Sequence, residues 1–575
     1  MLTNTAFSRI AFELTIRQNV FSRSDATSFI SVPAARFNPL DALARFNPLD
    51  AVVVCDDIKL LQRFQSAMAA LPTAGYAEVK EFAELTPKIL KMLAGDAPAV
   101  LLLVRDLFEV SLPGDSQESK VMRAFNPTFW RRHFWLVVRR FQEHLRLTAG
   151  AVGGLNGNAY ASAEIVQFRQ TQLKLSAEWA AKSEIVSSTG VRVPLSKILK
   201  TASQRIAKVY AFVSAIDRAS VEAGLEVSLI TTTLPGDWHA NPGHKSKNWQ
   251  YNGKTPAEGA KELTRLFQNV RRDLANDGIY LSGLWAGELH KDGTPHRHYW
   301  TCYKPEHRAA VLAAFLKYFP GRLKLRGATV GADIGFNTPA DVFSGNSYYI
   351  GKSKRGFQVD VSVIDRSRGS GASYVFKYLE KAMVADALTA DASFKAIDAS
   401  RALWSMRSHD FFGVSKCLSK WDELRRLSKK PADPRMAEFW AVARGGTDEG
   451  RAPVMTADDG TVTPQCGDAY TFLQMMGGLA AMRAEKGAAF VPLAFDFVKG
   501  VNQYQEPTKS VVGLVLNARA TVLVLAAPDS DGVLPTYARG ARAGSLKYVS
   551  KTTVYPVSTI VTRFDSWSIQ AMAPR

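Results

Sequence analysis

Cysteine is scarce in this chain, which has 4 cysteines among 575 residues. They are Cys55, Cys302, Cys417 and Cys466, and no two of them form a Cys-x-x-Cys pair. This spacing argues against a zinc finger and against a disulfide framework. It fits a protein of the reducing cytoplasm.

Several longer patterns are also missing. No apolar run reaches the roughly 18 residues that a membrane helix needs, so we expect no membrane partner. Arg9, Glu13 and Arg17 interrupt the basic-then-apolar pattern that a secretion signal would show, which again favours the cytoplasm. There is no Gly-x-x-x-x-Gly-Lys-Ser/Thr motif, so we do not expect a helicase motor within the chain.

Positive charge is what the chain has in excess. The 72 Lys and Arg residues outnumber the 53 Asp and Glu residues and give a formal net charge of +19. Such an excess favours a polyanionic partner, nucleic acid first and an anionic membrane second, although a merely basic protein shows the same balance. Arg131 and Arg132 interleave with Trp130 and Phe134, a pattern that suits nucleic acid and equally suits an amphipathic helix with solvated arginines.

The chain has room for three or four domains. We expect a small α/β accessory domain over residues 1–118, because apolar strand-like runs at 51–55 and 99–104 flank a helical stretch. A basic helical region follows over 119–215, then a central domain over 216–430, and then an α/β or β-rich domain of unknown role over 431–575. A tandem repeat at 35–43 and 44–52 is too short to be a solenoid unit.

The expected central domain alternates strands and helices. A β-branched strand over 226–234 ends at Pro235, and Thr255 with Glu258 forms a capping box that starts a helix. Val359, Val361 and Val363 alternate as a later strand. We therefore predict an α+β fold with a mainly antiparallel sheet and helices packed on it.

A β-hairpin centred on Asp292-Gly293 carries the first chemical constellation. His296 and His298 are two residues apart, so a strand points both rings to one face. With a three-residue loop over 292–294, His290 would oppose His296 and Glu288 would oppose His298. An Asp-Gly loop of two residues would instead place Glu288 opposite Arg297, on the wrong face for a metal site.

The second constellation is the helix segment that contains Tyr374 and Tyr378. The two tyrosines are four residues apart, so their Cβ atoms lie about 6 Å apart on one helix face. Lys377 and Lys381 each follow a tyrosine by three residues on the same side. Two phenols beside two ammonium groups suit a phosphate, and the lysines favour the phenolate form. The alternative is a pair of half-buried tyrosines that share a face.

The order of these parts resembles the HUH endonucleases that initiate rolling-circle replication, and more narrowly the replication gene A proteins of phages and prophages. The resemblance covers roughly 120–430, and it includes Trp130-Arg131-Arg132 upstream and Trp421-Asp422-Glu423-Leu424-Arg425-Arg426 downstream. The three central motifs are Leu229-Ile230-Thr231-Thr232-Thr233-Leu234-Pro235, the hairpin Glu288 to His298, and Tyr374-Val375-Phe376-Lys377-Tyr378. Two positions depart from the family pattern: Arg297 replaces a bulky apolar residue, and Thr232 stands where leucine is commoner.

The resemblance implies an HUH-type nuclease that nicks and rejoins one DNA strand at a replication origin through a 5′-phosphotyrosine. It implies that His296, His298 and a third ligand, Glu288 rather than His290, bind Mg²⁺ or Mn²⁺, and that Tyr374 or Tyr378 is the nucleophile. Arg297 would pack by its stem or contact phosphate, and Arg131, Arg132, Arg425 and Arg426 are further candidates for nucleic-acid binding. Its partners would be a single-stranded origin and the helicase and replication machinery of a bacterial host, in whose cytoplasm it would act.

Three other functions remain open at this point. One is a relaxase or transposase of the same fold. Another is a DNA- or RNA-binding protein without catalytic activity, in which the two histidines are incidental. The third is a metal-dependent nuclease that uses water, for which both tyrosines would be dispensable.

Overall fold

The computed structural model describes most of the chain, and within it some side chains, Lys377 and Lys381 among them, are not described. The described residues are 55–108, 110–199, 202–242, 247–319, 322–326, 340–343, 347–350, 357–382, 390–414, 416–427, 429–444, 454–456, 462–464, 467–482, 492–526, 547–563 and 567–572.

The described N-terminal part is helical. Its helices are α1 (Cys55–Ala70), α2 (Tyr76–Leu93), α3 (Ala97–Phe108), α4 (Gln117–Ala124), α5 (Pro127–Thr148) and α6 (Ala163–Ala181). Phe64, Phe82, Phe108, Trp130 and Phe134 pack together in its core. The predicted strand over 99–104 is wrong because these residues lie within α3, where only one side of the apolar run is buried. The expected α/β accessory domain is therefore not seen over 55–108.

A mainly antiparallel sheet lies at the centre of the described structure. Its strands are β3 (Glu226–Thr232), β4 (Ser282–Leu289), β5 (Pro295–Tyr303), β6 (Arg322–Arg326), β7 (Ala340–Phe343), β8 (Ser347–Ile350), β9 (Phe357–Val363) and β10 (His409–Phe412). They follow the spatial order β10-β4-β5-β3-β9-β6-β8-β7, in which β6 and β9 form the parallel pair. The predicted strand at 359–363 is confirmed, and the predicted strand at 226–234 is confirmed up to residue 232.

The two faces of this sheet bury different helices, because successive side chains of a strand point to opposite faces. Trp300 and Cys302 of β5 pack in one core with α8 (Ala202–Glu222) and α11 (Gly371–Ala382). Tyr299 and Tyr303 pack in the other core with α9 (Pro256–Asn276) and α10 (Arg308–Tyr318). The fold is thus mixed α+β, as predicted, with helices on both faces of the sheet.

Helix α9 begins where the capping box predicted. The Thr255 hydroxyl accepts a hydrogen bond from the Glu258 backbone N–H, and the Glu258 carboxylate accepts one from the Thr255 backbone N–H. Pro256 occupies the first turn, where its missing N–H costs no helical hydrogen bond. Helix α8 runs through residue 215, so the expected boundary between 215 and 216 falls inside a helix that packs on the sheet.

The C-terminal part adds helices and a separate sheet. Its helices are α12 (Ala392–Trp404), α13 (Cys417–Leu424), α14 (Pro434–Arg444) and α15 (Ala469–Met475), and α7 (Leu195–Ile198) is a short helix earlier in the chain. A three-stranded antiparallel sheet contains β13 (Leu493–Val501), β14 (Pro507–Ala526) and β15 (Lys547–Val561). Shorter strands are β1 (Ser183–Ser187), β2 (Arg192–Pro194), β11 (Val454–Thr456), β12 (Val462–Pro464) and β16 (Trp567–Ala571).

The turn between β13 and β14 contacts the helical N-terminal part. The Arg123 guanidinium donates to both carboxylate oxygens of Glu506, at 2.7 and 2.5 Å, and lies 4.0 Å from the centroid of the Tyr504 ring. Asn126 Nδ2 donates to the Tyr504 hydroxyl at 3.1 Å. None of the described helices combines the length and the apolar character that crossing a membrane requires.

Candidate metal and tyrosine site

The hairpin of β4 and β5 sets the geometry of the site. Glu288 pairs with His296, and Leu289 pairs with Pro295. The His290 backbone N–H donates to the Thr294 carbonyl at 2.9 Å, so the loop is 291–293, one residue earlier than expected. The predicted partners of Glu288 and His290 are therefore wrong. The loop is still odd in length, so Glu288 and the two later histidines remain on one face, as predicted.

The turn of this hairpin is held by buried polar contacts. Gly293 has φ +78°, a left-handed conformation that glycine adopts without strain. The Asp292 side chain is 1% exposed and accepts from the Thr294 backbone N–H at 3.1 Å and from His239 Nδ1 at 3.2 Å. The Tyr160 backbone N–H donates to the Lys291 carbonyl at 2.7 Å. The loop after α5 therefore helps to fix the turn.

Glu288, His296 and His298 form a compact group of metal-ligand type. Glu288 Oε2 lies 3.3 Å from His296 Nε2 and 3.1 Å from His298 Nε2. The three candidate ligand atoms all lie within 4.8 Å of one another. Burial alone raises the pKa of Glu288, but the hydrogen bonds with the two histidines outweigh it and hold that pKa well below its ordinary value. The group thus offers one carboxylate and two imidazole nitrogens to a cation.

His290 lies beside this group and is not part of it. Its ring centroid is 4.4 Å from that of His296 and 4.7 Å from that of His239. Its Nε2 is buried and has no hydrogen-bond partner among the described residues. Burial, followed by the nearby His296 and His239, lowers the pKa of His290 to about 3, so the ring is neutral near pH 7. Of the two predicted third ligands, the geometry favours Glu288.

His298 is anchored from the neighbouring strand. Thr231 of β3 pairs with His298 of β5, and the Thr231 Oγ1 lies 2.8 Å from His298 Nδ1. This contact leaves Nε2 facing Glu288. The tertiary pairing of β3 with β5 therefore decides which nitrogen of this ring faces the group.

Helix α11 places a tyrosine against the same imidazole. Val375 and Leu379 are buried in the core on this face of the sheet, which confirms the predicted apolar stripe at these two positions. The Tyr378 ring centroid is 4.0 Å from that of His298. Tyr374, one helical turn earlier, is 38% exposed. The side chains of Lys377 and Lys381 lie outside the described part of the structure.

The start of α11 is fixed by a buried carboxylate. Asp217 of α8 accepts from the Ala372 backbone N–H at 3.2 Å and from Arg366 Nη1 at 2.9 Å. A Cβ atom at Gly371 would lie 2.5 Å from Asp217 Oδ1, so this close approach needs glycine. A carboxylate at a helix N-terminus also satisfies an N–H without a helical partner.

The chain matches a known family over half of its length. The family model described as bacteriophage replication gene A protein (GPA) matches residues 98–386, a range that contains the hairpin and the tyrosine helix. This chain belongs to that family.

Individual relatives of this chain are distant in sequence. The replication gene A protein of Escherichia phage 186 is 27% identical over 56% of this chain and 44% of its own length. The replication protein of Haemophilus phage HP1 is 24% identical over 69% of this chain and 46% of its own length. The probable replication protein P12 of Pseudoalteromonas phage PM2 is 25% identical over 70% and 57%. The chain spans about half the length of these relatives, and no solved structure matches it.

The arginine within the hairpin motif of this replication gene A family member points away from the site. Arg297 is 7% exposed, and its guanidinium lies 4.0 Å from the centroid of the Trp285 ring. It donates to Thr264 Oγ1 at 2.7 Å and to the Ala260 carbonyl at 3.2 Å, both on α9. Of the two roles considered for Arg297, these contacts favour packing over phosphate binding.

The other candidate arginines differ in their surroundings. On α5, Arg131 is half-buried and Arg132 is exposed. Arg425 Nη1 donates to the Ala443 carbonyl at 2.6 Å, which ties α13 to the end of α14. Arg426 is exposed and lies 3.3 Å from a Glu423 carboxylate oxygen. Arg132 and Arg426 are therefore the better placed of the four to meet a polyanion.

Sequence reasoning missed some residues that shape the site. Arg401 of α12 donates to the Gly287 carbonyl, next to Glu288 in the strand, and is nearly buried. Asp217 and Asp292 were not expected to hold α11 and the hairpin turn. No local pattern marks Arg401 or Asp217, because each acts on an element far away in sequence. The sequence motif at 229–235 contains Thr231, but the contact of Thr231 with His298 depends on strand order.

Proposed function

We propose that this chain is a site- and strand-specific DNA nicking and joining endonuclease of the HUH type that initiates rolling-circle replication of a phage or prophage genome. The observation that carries the proposal is the contact between Tyr378 and His298 on the metal-ligand face of the sheet. A phenol beside a carboxylate and two imidazoles is the residue set that such a reaction needs. Membership of the replication gene A family supports a role in phage DNA replication.

The donor set fits a divalent cation. Glu288, His296 and His298 would hold Mg²⁺ or Mn²⁺, because their donor atoms converge and Nε2 of each ring faces the same carboxylate oxygen. When bound, the cation would supply Lewis-acid polarisation of the scissile phosphate and would offset the charge that develops on it.

The chain's own tyrosines would carry out the covalent steps. The phenol oxygen of one tyrosine forms a bond to phosphorus, the phenolic proton is released, and the bond from phosphorus to the 3′ oxygen breaks with its electron pair staying on that oxygen. The products are a 5′-phosphotyrosine and, after protonation, a free 3′-hydroxyl that primes synthesis. One phosphate ester replaces another, so rejoining by the reverse reaction needs no ATP. The second tyrosine would attack the regenerated origin after one round.

Four cationic side chains outside the ligand group would bind the DNA. Lys377 and Lys381 follow the two tyrosines by three residues each and stay proposed phosphate contacts. Arg132 and Arg426 are exposed cations that would contact the phosphate backbone. Because the sequence has no phosphate-binding loop of the helicase type, we propose that a host helicase unwinds the duplex.

A single gel experiment tests the proposal. The protein is incubated with Mn²⁺ and single-stranded origin DNA labelled at the 3′ end, so that the label stays on the fragment whose 5′ phosphate is attacked, and the products are run on a denaturing gel. The proposal expects a covalent adduct, which should disappear when Tyr374 and Tyr378 are both changed to phenylalanine. Cleavage that persists without adduct in that variant would indicate a water-using nuclease, and binding without cleavage by the parent would indicate a non-catalytic protein.

The same assay addresses the relaxase or transposase alternative. A nickase with two alternating tyrosines should convert an oligonucleotide with two origin copies into a joined product and a released segment using one subunit. A single-tyrosine enzyme would depend on only one of the two phenols for the complete exchange. The spacing of Tyr374 and Tyr378 on one helix favours the two-tyrosine reaction.

A further inference from the structure

We infer that Thr231 is a positioning residue that holds the His298 ring in the orientation and tautomer needed to bind the divalent cation. The inference rests on the proposed function, because it concerns the same site. It assigns a task to the threonine-rich strand β3, which contributes neither a candidate ligand nor a nucleophile.

The first observation is geometric. Thr231 and His298 are direct partners in the pairing of β3 with β5, and the Thr231 Oγ1 lies 2.8 Å from His298 Nδ1. On the far side of the same ring, Nε2 lies 3.1 Å from Glu288 Oε2. His298 itself is 5% exposed. The threonine hydroxyl is thus a group that faces Nδ1 of a nearly buried ring.

The chemistry follows from the two ring nitrogens. An imidazole that binds a cation through Nε2 carries its proton on Nδ1, and that N–H needs an acceptor. The hydroxyl oxygen of Thr231 can accept it. Without the cation, Glu288 favours a proton on Nε2, and the same hydroxyl can then donate to Nδ1. A hydroxyl serves both forms because it is a donor and an acceptor, which a carboxylate or an ammonium group is not.

His296 offers an internal comparison. It lies two residues earlier in β5 and also points its Nε2 at Glu288, at 3.3 Å. Its Nδ1 is buried and has no hydrogen-bond partner among the described residues. Thr231 therefore acts on one of the two imidazoles. The Tyr378 ring lies against the face of that same imidazole, so loss of the anchor would also disturb the surface that the phenol packs on.

Cation binding by the full-length protein tests this inference without any need for catalysis. Free Mn²⁺ is titrated by electron paramagnetic resonance against the parent, Thr231→Val and Thr231→Ser. Valine keeps the β-branched shape and removes the hydroxyl, whereas serine keeps the hydroxyl. We expect Thr231→Val to weaken Mn²⁺ binding by about 10- to 100-fold, the usual cost of losing an outer partner of a ligand, and Thr231→Ser to stay close to the parent.

Thr232→Val is the matched control. Thr232 is the next residue of β3, is fully buried, and pairs with Arg297 on the opposite face of the sheet. This variant makes the same chemical change in the same strand, but on the face that points away from the ligands. A folded Thr232→Val should therefore keep the Mn²⁺ affinity of the parent. Thermal melting of each variant reports whether the fold is retained.

A second readout follows the ring directly. In the Mg²⁺-loaded protein with ¹⁵N-labelled histidine, His298 should show a protonated Nδ1, and Thr231→Val should alter that signal. Equal Mn²⁺ affinity of the parent and a folded Thr231→Val would overturn the inference and leave the metal site intact. Equal weakening by Thr231→Val and Thr232→Val would also overturn it. A parent that binds no Mn²⁺ would instead overturn the proposed metal site, and with it this role of Thr231.

Discussion

The phenol ring of Tyr378 lies against the imidazole of His298, with 4.0 Å between the ring centroids and 31° between the ring planes. The strand that carries His298 and the helix that carries Tyr378 are separated by more than 60 residues, and the shared core of Val375, Leu379 and Trp300 brings them together. Tyr374 is one turn away and more exposed. The two tyrosines are therefore not equivalent before DNA binds.

This inequivalence predicts unequal effects of the single tyrosine variants. We expect Tyr378→Phe to slow the first cleavage of a single-stranded origin oligonucleotide more than Tyr374→Phe does, by at least about tenfold, because the Tyr378 ring already lies beside a candidate metal ligand. Adduct formation over time on a denaturing gel measures both rates. Equal rates for the two variants would show that DNA binding repositions the helix.

The ligand group predicts a separation of cleavage from DNA binding. Glu288→Gln keeps the shape of the side chain and removes its charge. Since changes to outer partners of metal ligands already cost about 10- to 100-fold in affinity, loss of this proposed direct ligand should cost more and should abolish cleavage. DNA binding in the absence of metal should persist, because removal of a negative charge does not repel phosphate.

Glu306→Gln is a suitable control for that variant. Glu306 is an exposed glutamate with only a 3.9 Å ion pair to Lys304, so its change should leave cleavage intact. The parent should also lose cleavage in EDTA and regain it with added Mn²⁺. Cleavage by Glu288→Gln at the rate of the parent would exclude this carboxylate as a ligand.

Two half-buried histidines of α5 predict that stability falls in mild acid. Burial lowers the pKa of His133 to about 4, and burial likewise lowers the pKa of His144 to about 4. An unfolded histidine takes up its proton near pH 6.5, so between pH 6.5 and 4 the unfolded chain binds more protons and the folded state loses stability. Below pH 4 the stability lost in this way reaches about 3 kcal/mol for each histidine.

Unfolding of the parent and of His133→Phe at pH 7 and pH 5 checks this effect. The His133 ring stacks on Phe129, with centroids 5.7 Å apart, and a phenylalanine can take its place without a titrating group. We expect the parent to lose more stability between these pH values than the variant does. The same loss in both proteins would mean that His133 does not contribute to the acid sensitivity.

Arg132 is exposed and Arg297 is buried, so we expect their substitutions to differ in their effect on the salt dependence of DNA binding. Binding of DNA should weaken steeply with salt, because phosphate contacts release counterions. Arg132→Gln should reduce the slope of log affinity against log salt by about 1. Arg297→Gln should leave that slope unchanged and destabilise the fold by about 1–3 kcal/mol, since it leaves partners on α9 without their donor.

Fluorescence anisotropy with single-stranded DNA in EDTA, at 50–200 mM salt, measures both slopes without cleavage. A lower slope for Arg297→Gln would mean that this arginine leaves its buried position to meet DNA. An unchanged slope for Arg132→Gln would place the DNA on a different surface of the protein.

The N-terminal part shows where local patterns mislead. Residues 99–104 read as a strand because the run is apolar and short. In the fold they form part of α3, where Val100, Leu103 and Val104 face the core and Leu102 is exposed. A short apolar run of this kind occurs both in buried strands and in buried turns of helices. Only the packing against the neighbouring helices decides between the two.

The sequence by itself determined the local features of the site. Gly293 and the alternation around it specify a hairpin, the two-residue spacing puts His296 and His298 on one face, and Val375 with Leu379 specifies the buried side of the tyrosine helix. The odd length of the loop, which brings Glu288 to the same face as the two histidines, was visible only in the structure. The exact register, the contact of Thr231 with His298, the packing of Tyr378 and the burial of Arg297 were decided by tertiary structure alone. These contacts join segments that are distant in the chain, so they depend on which strands become neighbours and which helix covers each face. That is a property of the assembled sheet, which no local spacing encodes.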